Sequence, residues 1–279
     1  MCKFEKELIN LIYDAHCHFH LNESDESTSD LHKVAEDLSG FAFMSTQQND
    51  WETIKLLCQK LNPITQYRNS YMLGVHPWFA HHYADRDEWL NDLEVILLED
   101  QYAGVGEIGL DRKWKTPDTQ INEYEAQLLV FQKQLELAAK LQRPVSIHCV
   151  HAQGDLFTTL RQLKDLPPKI YLHAFGGAPG TVEQLIRDRR FGKQLYFGFA
   201  SCINLRSPKT KAVIAIVPED RLLLESDRSS AHPRTLISEE LMTMLRVYTE
   251  VKSWNSLEEA ALQLRKNTLE FYSLFHPKL

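Results

Sequence analysis

The chain has 279 residues, of which 43% are hydrophobic and 25% are charged, and its formal net charge is −7. This length suits one α/β barrel as well as two small domains, and the alternation of segments described below favours one domain over residues 1–279. The acidic net charge excludes non-specific attraction of nucleic acid to the whole surface. A phosphate-containing substrate would therefore need a local basic patch or a metal ion.

The cysteines and the apolar segments indicate the compartment. Five cysteines are scattered along the chain without a CxxC pair, which is typical of reduced thiols in a cytoplasmic or nuclear protein. No apolar run approaches the roughly 18 residues needed to span a membrane, so no membrane partner is expected. Nothing in the sequence requires an oligomer, and a monomer is the expectation.

Short apolar runs alternate with longer segments of helical periodicity. The predicted strands are 11–16, 41–46, 71–76, 102–107, 144–148, 169–173, 194–200 and 221–227. The predicted helices are 31–38, 51–61, 87–99, 120–141, 155–163, 180–190, 207–217, 235–250 and 256–274. Several strands are continuously apolar, as expected of strands covered on both faces. Eight such units predict a TIM-type (β/α)8 barrel, and the absence of a GxGxxG motif after the first strand disfavours an open doubly wound sheet.

A histidine cluster ends the first predicted strand. Side chains alternate along a strand, so His16, His18 and His20 should share one face, while Cys17 and Phe19 point away from it. Neighbouring imidazoles commonly hold a divalent metal ion, although a histidine-rich surface turn would have the same local sequence.

Other predicted strands also end in residues that can bind metal. In a (β/α)8 barrel the carboxyl ends of the strands form the active face. The residues at the ends of strands 3, 4, 5, 6 and 8 are His76, Glu107, His148, His173 and Asp227. Each alone is compatible with a structural histidine or a helix cap. Together they predict a metal site, because burying so many carboxylates and imidazoles without a cation would be costly.

The number of these side chains predicts two divalent ions. The predicted ligands are His16, His18, Glu107, His148, His173 and Asp227. One ion would take the two histidines of strand 1 with Asp227, the other would take the histidines of strands 5 and 6, and Glu107 would bridge them. Such a pair can share a hydroxide and clamp both oxygens of a phosphoryl displacement. Mixed nitrogen and oxygen ligands suit Zn²⁺, Mn²⁺, Ni²⁺ or Fe²⁺ better than Ca²⁺ and also admit Mg²⁺.

Several residues are assigned roles around this site. Glu107, as the bridge, and Asp227, as acceptor of the proton of the attacking water, are the predicted catalytic residues. His20 and His151 are predicted to orient the rings of the ligands. Arg112 and Arg228 follow strands 4 and 8 and are predicted to contact substrate phosphate, the alternative being solvated loop charges.

Two further features lie on the predicted active face. Residues 23–30, rich in serine and acidic side chains, are predicted to form a solvated mobile loop after strand 1. Trp78, Phe79 and Trp114 lie in the loops after strands 3 and 4. Packing over the barrel mouth is favoured for them over stacking on a base.

The order of the motifs HxH, GVHP, GEIGLD, IHC, LHAFGG and ESD resembles that of the TatD-type metal-dependent hydrolases, deoxyribonuclease-like members of the amidohydrolase superfamily. The resemblance runs from Tyr13 to Phe271 and includes Asn267 in the last helix. It implies a two-metal hydrolase of phosphodiester bonds, commonly a 3′-to-5′ exonuclease on DNA. The metal positions of the family fall on the six predicted ligands, and its phosphate-contacting histidine falls on His76.

The departures from the family pattern lie outside these ligands. Asp111-Arg112 replaces the frequent GLDY or GLDF ending, and His148-Cys149-Val150-His151-Ala152 replaces HCRDA. These changes alter the rim that would touch substrate. In this respect the chain resembles a divergent fungal branch named for interaction with a subunit of the anaphase-promoting complex.

Three functions therefore stay open. The first is a metal-dependent phosphodiesterase acting on DNA or another phosphodiester, which the complete ligand set favours. The second is a protein-interaction partner with weak turnover, which the altered rim and the acidic segment keep open. The third is hydrolysis of an amide or another ester by the same chemistry.

Overall fold

The computed structural model describes residues 3–21, 25–66 and 69–272. Within these ranges eight strands form one parallel sheet in which each strand pairs with the next along the chain. The strands are β1 (Tyr13–Cys17), β2 (Gly40–Met44), β3 (Ser70–Leu73), β4 (Gly104–Asp111), β5 (Val145–Val150), β6 (Ile170–Leu172), β7 (Leu195–Phe199) and β8 (Leu222–Leu224). This sequential parallel order, with helices between the strands, confirms the predicted TIM-type barrel.

Helices cover the outside of this sheet. They are α1 (Lys3–Ile9), α2 (Asp25–Asp37), α3 (Trp51–Leu61), α4 (Glu88–Glu99), α5 (Tyr124–Lys140), α6 (Gln153–Gln162), α7 (Pro179–Arg187), α8 (Ser201–Asn204), α9 (Thr210–Ile216), α10 (Arg234–Lys252) and α11 (Leu257–Tyr272). Short 3-10 turns occupy Gln48–Asp50, Pro77–His82, Gly192–Gln194 and Glu219–Arg221. None of the helices in the described ranges is long and apolar enough to cross a membrane.

The barrel closes where the segment after β8 meets β1. The backbone N–H of Asp227 donates to the carbonyl of His16 at 3.0 Å, and the N–H of His18 donates to the carbonyl of Arg228 at 2.7 Å. The buried carboxylate of Asp14 accepts from the backbone N–H of Ser226 at 3.0 Å and from its hydroxyl at 2.5 Å. The first and last metal-binding motifs are therefore joined by backbone hydrogen bonds.

The core has two layers. The larger layer lies between the strands and the helices, and a smaller one fills the amino-terminal half of the barrel interior. The interior layer contains Tyr13, Ala15, Ala42, Met44, Met72, Tyr171, Tyr196 and Leu223. Phe271 and Tyr272 of α11 pack against this layer, and the Tyr272 hydroxyl donates to the carbonyl of Ala15 at 2.7 Å. Apolar packing thus fills one end of the barrel and leaves the other end to polar side chains.

Asn267 anchors α11 to the last strand. Its amide donates to the carbonyls of Glu219 at 2.7 Å and Leu222 at 2.9 Å. Since this asparagine is 1% exposed, the hydrogen bonds satisfy backbone groups that water cannot reach.

Several predicted elements differ from the observed ones. The third and eighth strands end at Leu73 and Leu224, three residues earlier than predicted. Residues 25–30 begin α2 instead of forming a loop, while residues 23 and 24 lie outside the described ranges. The cause is tertiary: Ser27 and Leu31 are buried, and Asp30 accepts from His232 Nδ1 at 2.8 Å. The fourth strand extends to Asp111 instead of ending at residue 107, because β4 and β5 stay paired through Asp111 and Val150.

Candidate metal centre

Strand β1 changes its pairing register just before the histidine motif. Tyr13 and Ala15 belong to the barrel interior, yet the shift in register between Asp14 and Cys17 turns Cys17 outward. His16 and His18 then enter the same pocket, with their Nε2 atoms 3.1 Å apart. The shared face predicted for His16, His18 and His20 is confirmed for the first two, and the register irregularity is what places that face inside the barrel.

Glu107 lies at the centre of the pocket, and its Oε2 atom faces β1. Oε2 is 2.9 Å from His18 Nε2 and 3.2 Å from His16 Nε2. The Oδ1 atom of Asp227 is 3.6 Å from each of the same two nitrogens. Two imidazoles and two carboxylates thus converge on the β1 side of the pocket.

The Oε1 atom of Glu107 faces a second set of nitrogens. It lies 2.7 Å from His173 Nε2, 3.0 Å from His148 Nδ1 and 3.2 Å from His76 Nε2. The two oxygens of one carboxylate therefore contact two histidine clusters, which meet where the rings of His16 and His173 stack with centroids 3.9 Å apart. A bridging ligand between two cations has this arrangement.

The outward-facing nitrogens of several rings have partners of their own. His18 Nδ1 lies 2.8 Å from the carbonyl of Met44, and His16 Nδ1 lies 3.1 Å from the Ser146 hydroxyl. Such contacts set the orientation and tautomer of a ring so that its other nitrogen is directed into the pocket.

The buried atoms of the pocket fit a cation. Glu107 is 1% exposed and His173 is 5% exposed. Glu107 Oε1 and His173 Nε2 lie in contact, but neither makes a hydrogen bond of acceptable geometry within the described part of the chain. A divalent ion would satisfy both atoms, because carboxylate oxygens and imidazole nitrogens are its usual ligands.

The pocket is strongly polarised without metal. Burial raises the pKa of Glu107, but the surrounding imidazoles, His173 first, outweigh burial and hold this pKa well below its usual range. Burial likewise opposes protonation of His173, yet the charges of Glu107 and Asp227 raise its pKa to about 10. His76 shows the opposite result, because burial dominates there and lowers its pKa to about 4. A proton on His173 thus occupies a position that a metal ion would take.

Sequence reasoning assigned no role to three buried carboxylates near this pocket. Asp111 is the last residue of β4, and its Oδ2 atom lies 3.3 Å from His148 Nε2. This is the His148 nitrogen that does not face Glu107. Glu225 accepts from the backbone N–H of Ala174 at 2.6 Å and from the Tyr171 hydroxyl, and burial raises its pKa to about 8. Burial also raises the pKa of Asp14 to about 7. Asp111 and Glu225 lie within the motifs GEIGLD and ESD, and Asp14 lies two residues before HxH, which was the available signal.

The remaining predicted site residues lie around the rim. His20 is buried, 3.2 Å from Asp50 Oδ2, and its ring lies 6.2 Å from that of His18. His151 is exposed and makes no hydrogen bond or ion pair to a predicted ligand within residues 3–21, 25–66 and 69–272. Their roles in orienting ligands stay predictions.

The two arginines are already paired with carboxylates. Arg112 binds Asp155 at 2.6 Å and stacks on Tyr124, while Arg228 makes a bidentate pair with Glu240. To contact a substrate phosphate, each guanidinium would have to share or leave its present partner. Substrate binding by these two residues also stays a prediction.

The profile of the TatD related DNase family matches residues 13–273. The chain belongs to this family. One relative is the Cut9-interacting protein scn1 of Schizosaccharomyces pombe, which is 25% identical over 93% of this chain and 98% of that protein. Its name agrees with the predicted resemblance to a fungal branch named for a protein interaction.

Two proteins described as TatD or a TatD homologue are also similar to this chain. The 3′-5′ ssDNA/RNA exonuclease TatD of Edwardsiella piscicida is 34% identical over 58% of this chain, a match that covers 59% of that enzyme. Among solved structures, the TatD homologue YJJV of Escherichia coli K12 superposes with a TM-score of 0.76 at 25% identity, covering 95% of this chain and 99% of that one. The polar pocket described above therefore belongs to a protein of a metal-dependent, nuclease-like hydrolase family.

Proposed function

We propose that this protein is a metal-dependent phosphodiesterase that removes nucleotides from the 3′ end of single-stranded nucleic acid. The observation that carries the proposal is the position of Glu107, whose two oxygens face two separate groups of imidazole nitrogens at distances of 2.7–3.2 Å. The polarity and the single-stranded substrate are supported by the name of the related exonuclease TatD.

In this proposal the histidine clusters would hold two divalent ions, which would supply Lewis acidity to a phosphoryl group when bound. His16, His18 and Asp227 would hold one ion, and His148 and His173 would hold the other. Glu107 would bridge the two sites with its buried carboxylate. The mixed nitrogen and oxygen donors suit Zn²⁺, Mn²⁺ or Ni²⁺ and also admit Mg²⁺.

The side chains at the open end of the pocket would handle substrate and protons. Asp227, whose side chain is 14% exposed, lies at the rim and would accept the proton of the attacking water. His76 presents Nε2 to the pocket, while its Nδ1 accepts the backbone N–H of Trp78 at 3.2 Å. With that nitrogen occupied by a donor, the neutral ring carries its proton on Nε2, which can donate to a phosphate oxygen.

The test begins with protein purified without chelator, whose bound metal is measured by mass spectrometry. The same protein is then given a 5′-labelled single strand with Mg²⁺ or Mn²⁺, beside Glu107→Ala and the exposed-surface control Glu136→Ala. We expect stepwise shortening from the 3′ end by the wild type and Glu136→Ala, and its loss in Glu107→Ala. Equal trace release by wild type and Glu107→Ala would contradict the proposal.

A second function is favoured by one specific observation. The scn1 protein, which covers nearly the whole chain, is named for an interaction with Cut9. A protein-binding role with weak turnover would give full metal occupancy but no metal-dependent shortening in the same assay.

A further inference from the structure

Two tryptophans form a stacked pair at the edge of the metal pocket. The rings of Trp78, in the turn after β3, and Trp114, in the loop after β4, have centroids 4.3 Å apart and planes inclined by 14°. The Trp78 ring is also nearly perpendicular to the His76 ring, with centroids 4.7 Å apart, and its centroid lies 6.1 Å from that of His148. The Trp78–Trp114 pair, called the aromatic wall below, therefore lies beside His76, the residue proposed to contact the phosphate.

Asp111 holds this wall in position. Its Oδ2 atom accepts the indole N–H of Trp78 at 3.0 Å and lies 3.3 Å from His148 Nε2. Its Oδ1 atom accepts the backbone N–H groups of Lys113 at 2.8 Å and Trp114 at 3.0 Å. One carboxylate thus holds the indole of Trp78, the backbone of Trp114 and a predicted metal ligand in a single arrangement.

The exposure of Trp78 distinguishes it from tryptophans that serve the core. Trp51 and Trp89 are 3% and 1% exposed and donate their indole N–H groups to backbone carbonyls. Trp78 is 36% exposed although it is rigidly held on two sides. Packing over the barrel mouth does not require so large an apolar surface to stay in contact with water.

Free positive charges lie beside the wall. Lys113 and Lys115 flank Trp114 in the sequence and are exposed. Neither lysine has an ion-pair partner within 4.0 Å among the residues that the structure describes, whereas the adjacent Arg112 is paired with Asp155. Stacking aromatics next to unpaired cations are typical of surfaces that bind single-stranded nucleic acid.

We propose that the Trp78–Trp114 pair is a stacking site for an unpaired nucleobase of the substrate, with Lys113 and Lys115 contacting the adjoining phosphates. The inference rests on the proposed function, because the nucleotide is placed by its phosphate at His76. Every base has a flat aromatic face, so such a site tolerates any sequence. A base engaged in a duplex cannot present that face, and the site therefore selects single strands.

The test measures binding without hydrolysis. Protein in excess EDTA is titrated with an oligothymidylate and with an abasic strand of equal length, and both tryptophan quenching and fluorescence anisotropy of the labelled strand are recorded. The variants are Trp78→Leu, Trp78→Phe and Trp114→Leu. Trp254→Leu is the matched control, because Trp254 follows the carboxyl end of α10 at the opposite face of the barrel.

We expect Trp78→Leu and Trp114→Leu to weaken binding of the normal strand roughly 5- to 150-fold, as stacking of one base would predict. Binding of the abasic strand should be unchanged by the same substitutions. Trp78→Phe, which keeps an aromatic face, should recover most of the affinity, and Trp254→Leu should match the wild type.

The inference is overturned if both leucine variants bind the normal strand within about twofold of the wild type, or if they lose affinity for both strands equally. It is also overturned if Trp78→Phe is as weak as Trp78→Leu. The nuclease assay separates this result from the proposed function. If the wild type shortens DNA and the leucine variants bind it as tightly as the wild type does, only the stacking site is contradicted. If binding depends on the bases but no cleavage depends on Glu107, only the nuclease function is contradicted.

Discussion

Replacing Glu107 by glutamine tests the electrostatic description of the pocket. The substitution keeps the shape of the side chain and removes its charge. At pH 7 the pKa of His173, about 10, leaves that imidazole protonated beside the Glu107 carboxylate, 2.7 Å away. Glu107→Gln would therefore leave a buried cation without its main counter-charge.

The size of the effect follows from burial. Both side chains are within a few per cent of complete burial, and removing one partner of a buried ion pair costs about 3–5 kcal/mol of unfolding free energy. For a chain of this size, 1 kcal/mol corresponds to about 2–4 °C in melting temperature. We expect metal-free Glu107→Gln to melt about 6–20 °C below the wild type.

The assay is thermal unfolding by circular dichroism at pH 7, first in EDTA and then with increasing Mn²⁺. Glu136→Gln, on the exposed face of α5, is the control and should melt like the wild type. Mn²⁺ at a hundred times its dissociation constant raises the unfolding free energy of the wild type by about 2.7 kcal/mol. The increase should be much smaller for the variant. If Glu107→Gln melts within about 2 °C of the wild type in EDTA, the difference in unfolding free energy is about 1 kcal/mol or less. That result would refute the buried-charge reasoning. An equal gain with Mn²⁺ would refute the ligand role.

Three further predictions concern residues around the pocket. The folded-state pKa of Glu225, about 8, lies above its ordinary 4.5. As the pH rises, the unfolded chain therefore loses this proton at a lower pH than the folded protein does. Stability of the metal-free protein should then fall on the order of a few kcal/mol between pH 4.5 and 8, and Glu225→Gln should reduce that fall in urea titrations at several pH values. Asp111→Ala should lower Mn²⁺ affinity about 10- to 100-fold in calorimetric titrations, because His148 loses its outer partner. Asn267→Ala should cost about 1–3 kcal/mol in denaturant unfolding, since the buried carbonyls of Glu219 and Leu222 lose their donor.

Each of these has a contradicting result, and the last two have matched control variants. A pH profile of Glu225→Gln parallel to that of the wild type would exclude Glu225 as the source of the decline. Asp118→Ala, exposed in the loop that follows Asp111, should bind Mn²⁺ normally, and equal affinity in both variants would contradict the positioning role of Asp111. Asn255→Ala, exposed before α11, should leave stability unchanged, and an equally small loss for Asn267→Ala would contradict its anchoring role.

Much of the architecture could be predicted because it depends on local patterns. Apolar runs such as 71–75 and 222–224 predict strands covered on both faces, and their alternation with helical segments predicts the barrel. The barrel in turn brings strand ends together, so histidines and carboxylates at those ends could be expected to meet. The family followed from the order of the motifs, which the match over residues 13–273 bears out.

Other features were decided by contacts between segments far apart in the sequence. Composition favoured a loop at residues 25–30, but burial of Ser27 and the pairing of Asp30 with His232 produced a helix. The register shift in β1 and the continuation of β4 to Asp111 depend on pairing with neighbouring strands, which local propensity does not contain.

The sequence by itself determined which side chains can bind metal, because ligand chemistry belongs to the residue type and strand order belongs to the hydrophobic pattern. Only the tertiary structure decided that one carboxylate, Glu107, faces two histidine clusters and that Asp111 joins His148 to the Trp78–Trp114 pair. The physical reason is that hydrogen bonds and ring contacts depend on distances of a few ångströms. Those distances are set by packing among residues up to 257 positions apart, as in the contact of Ala15 with Tyr272.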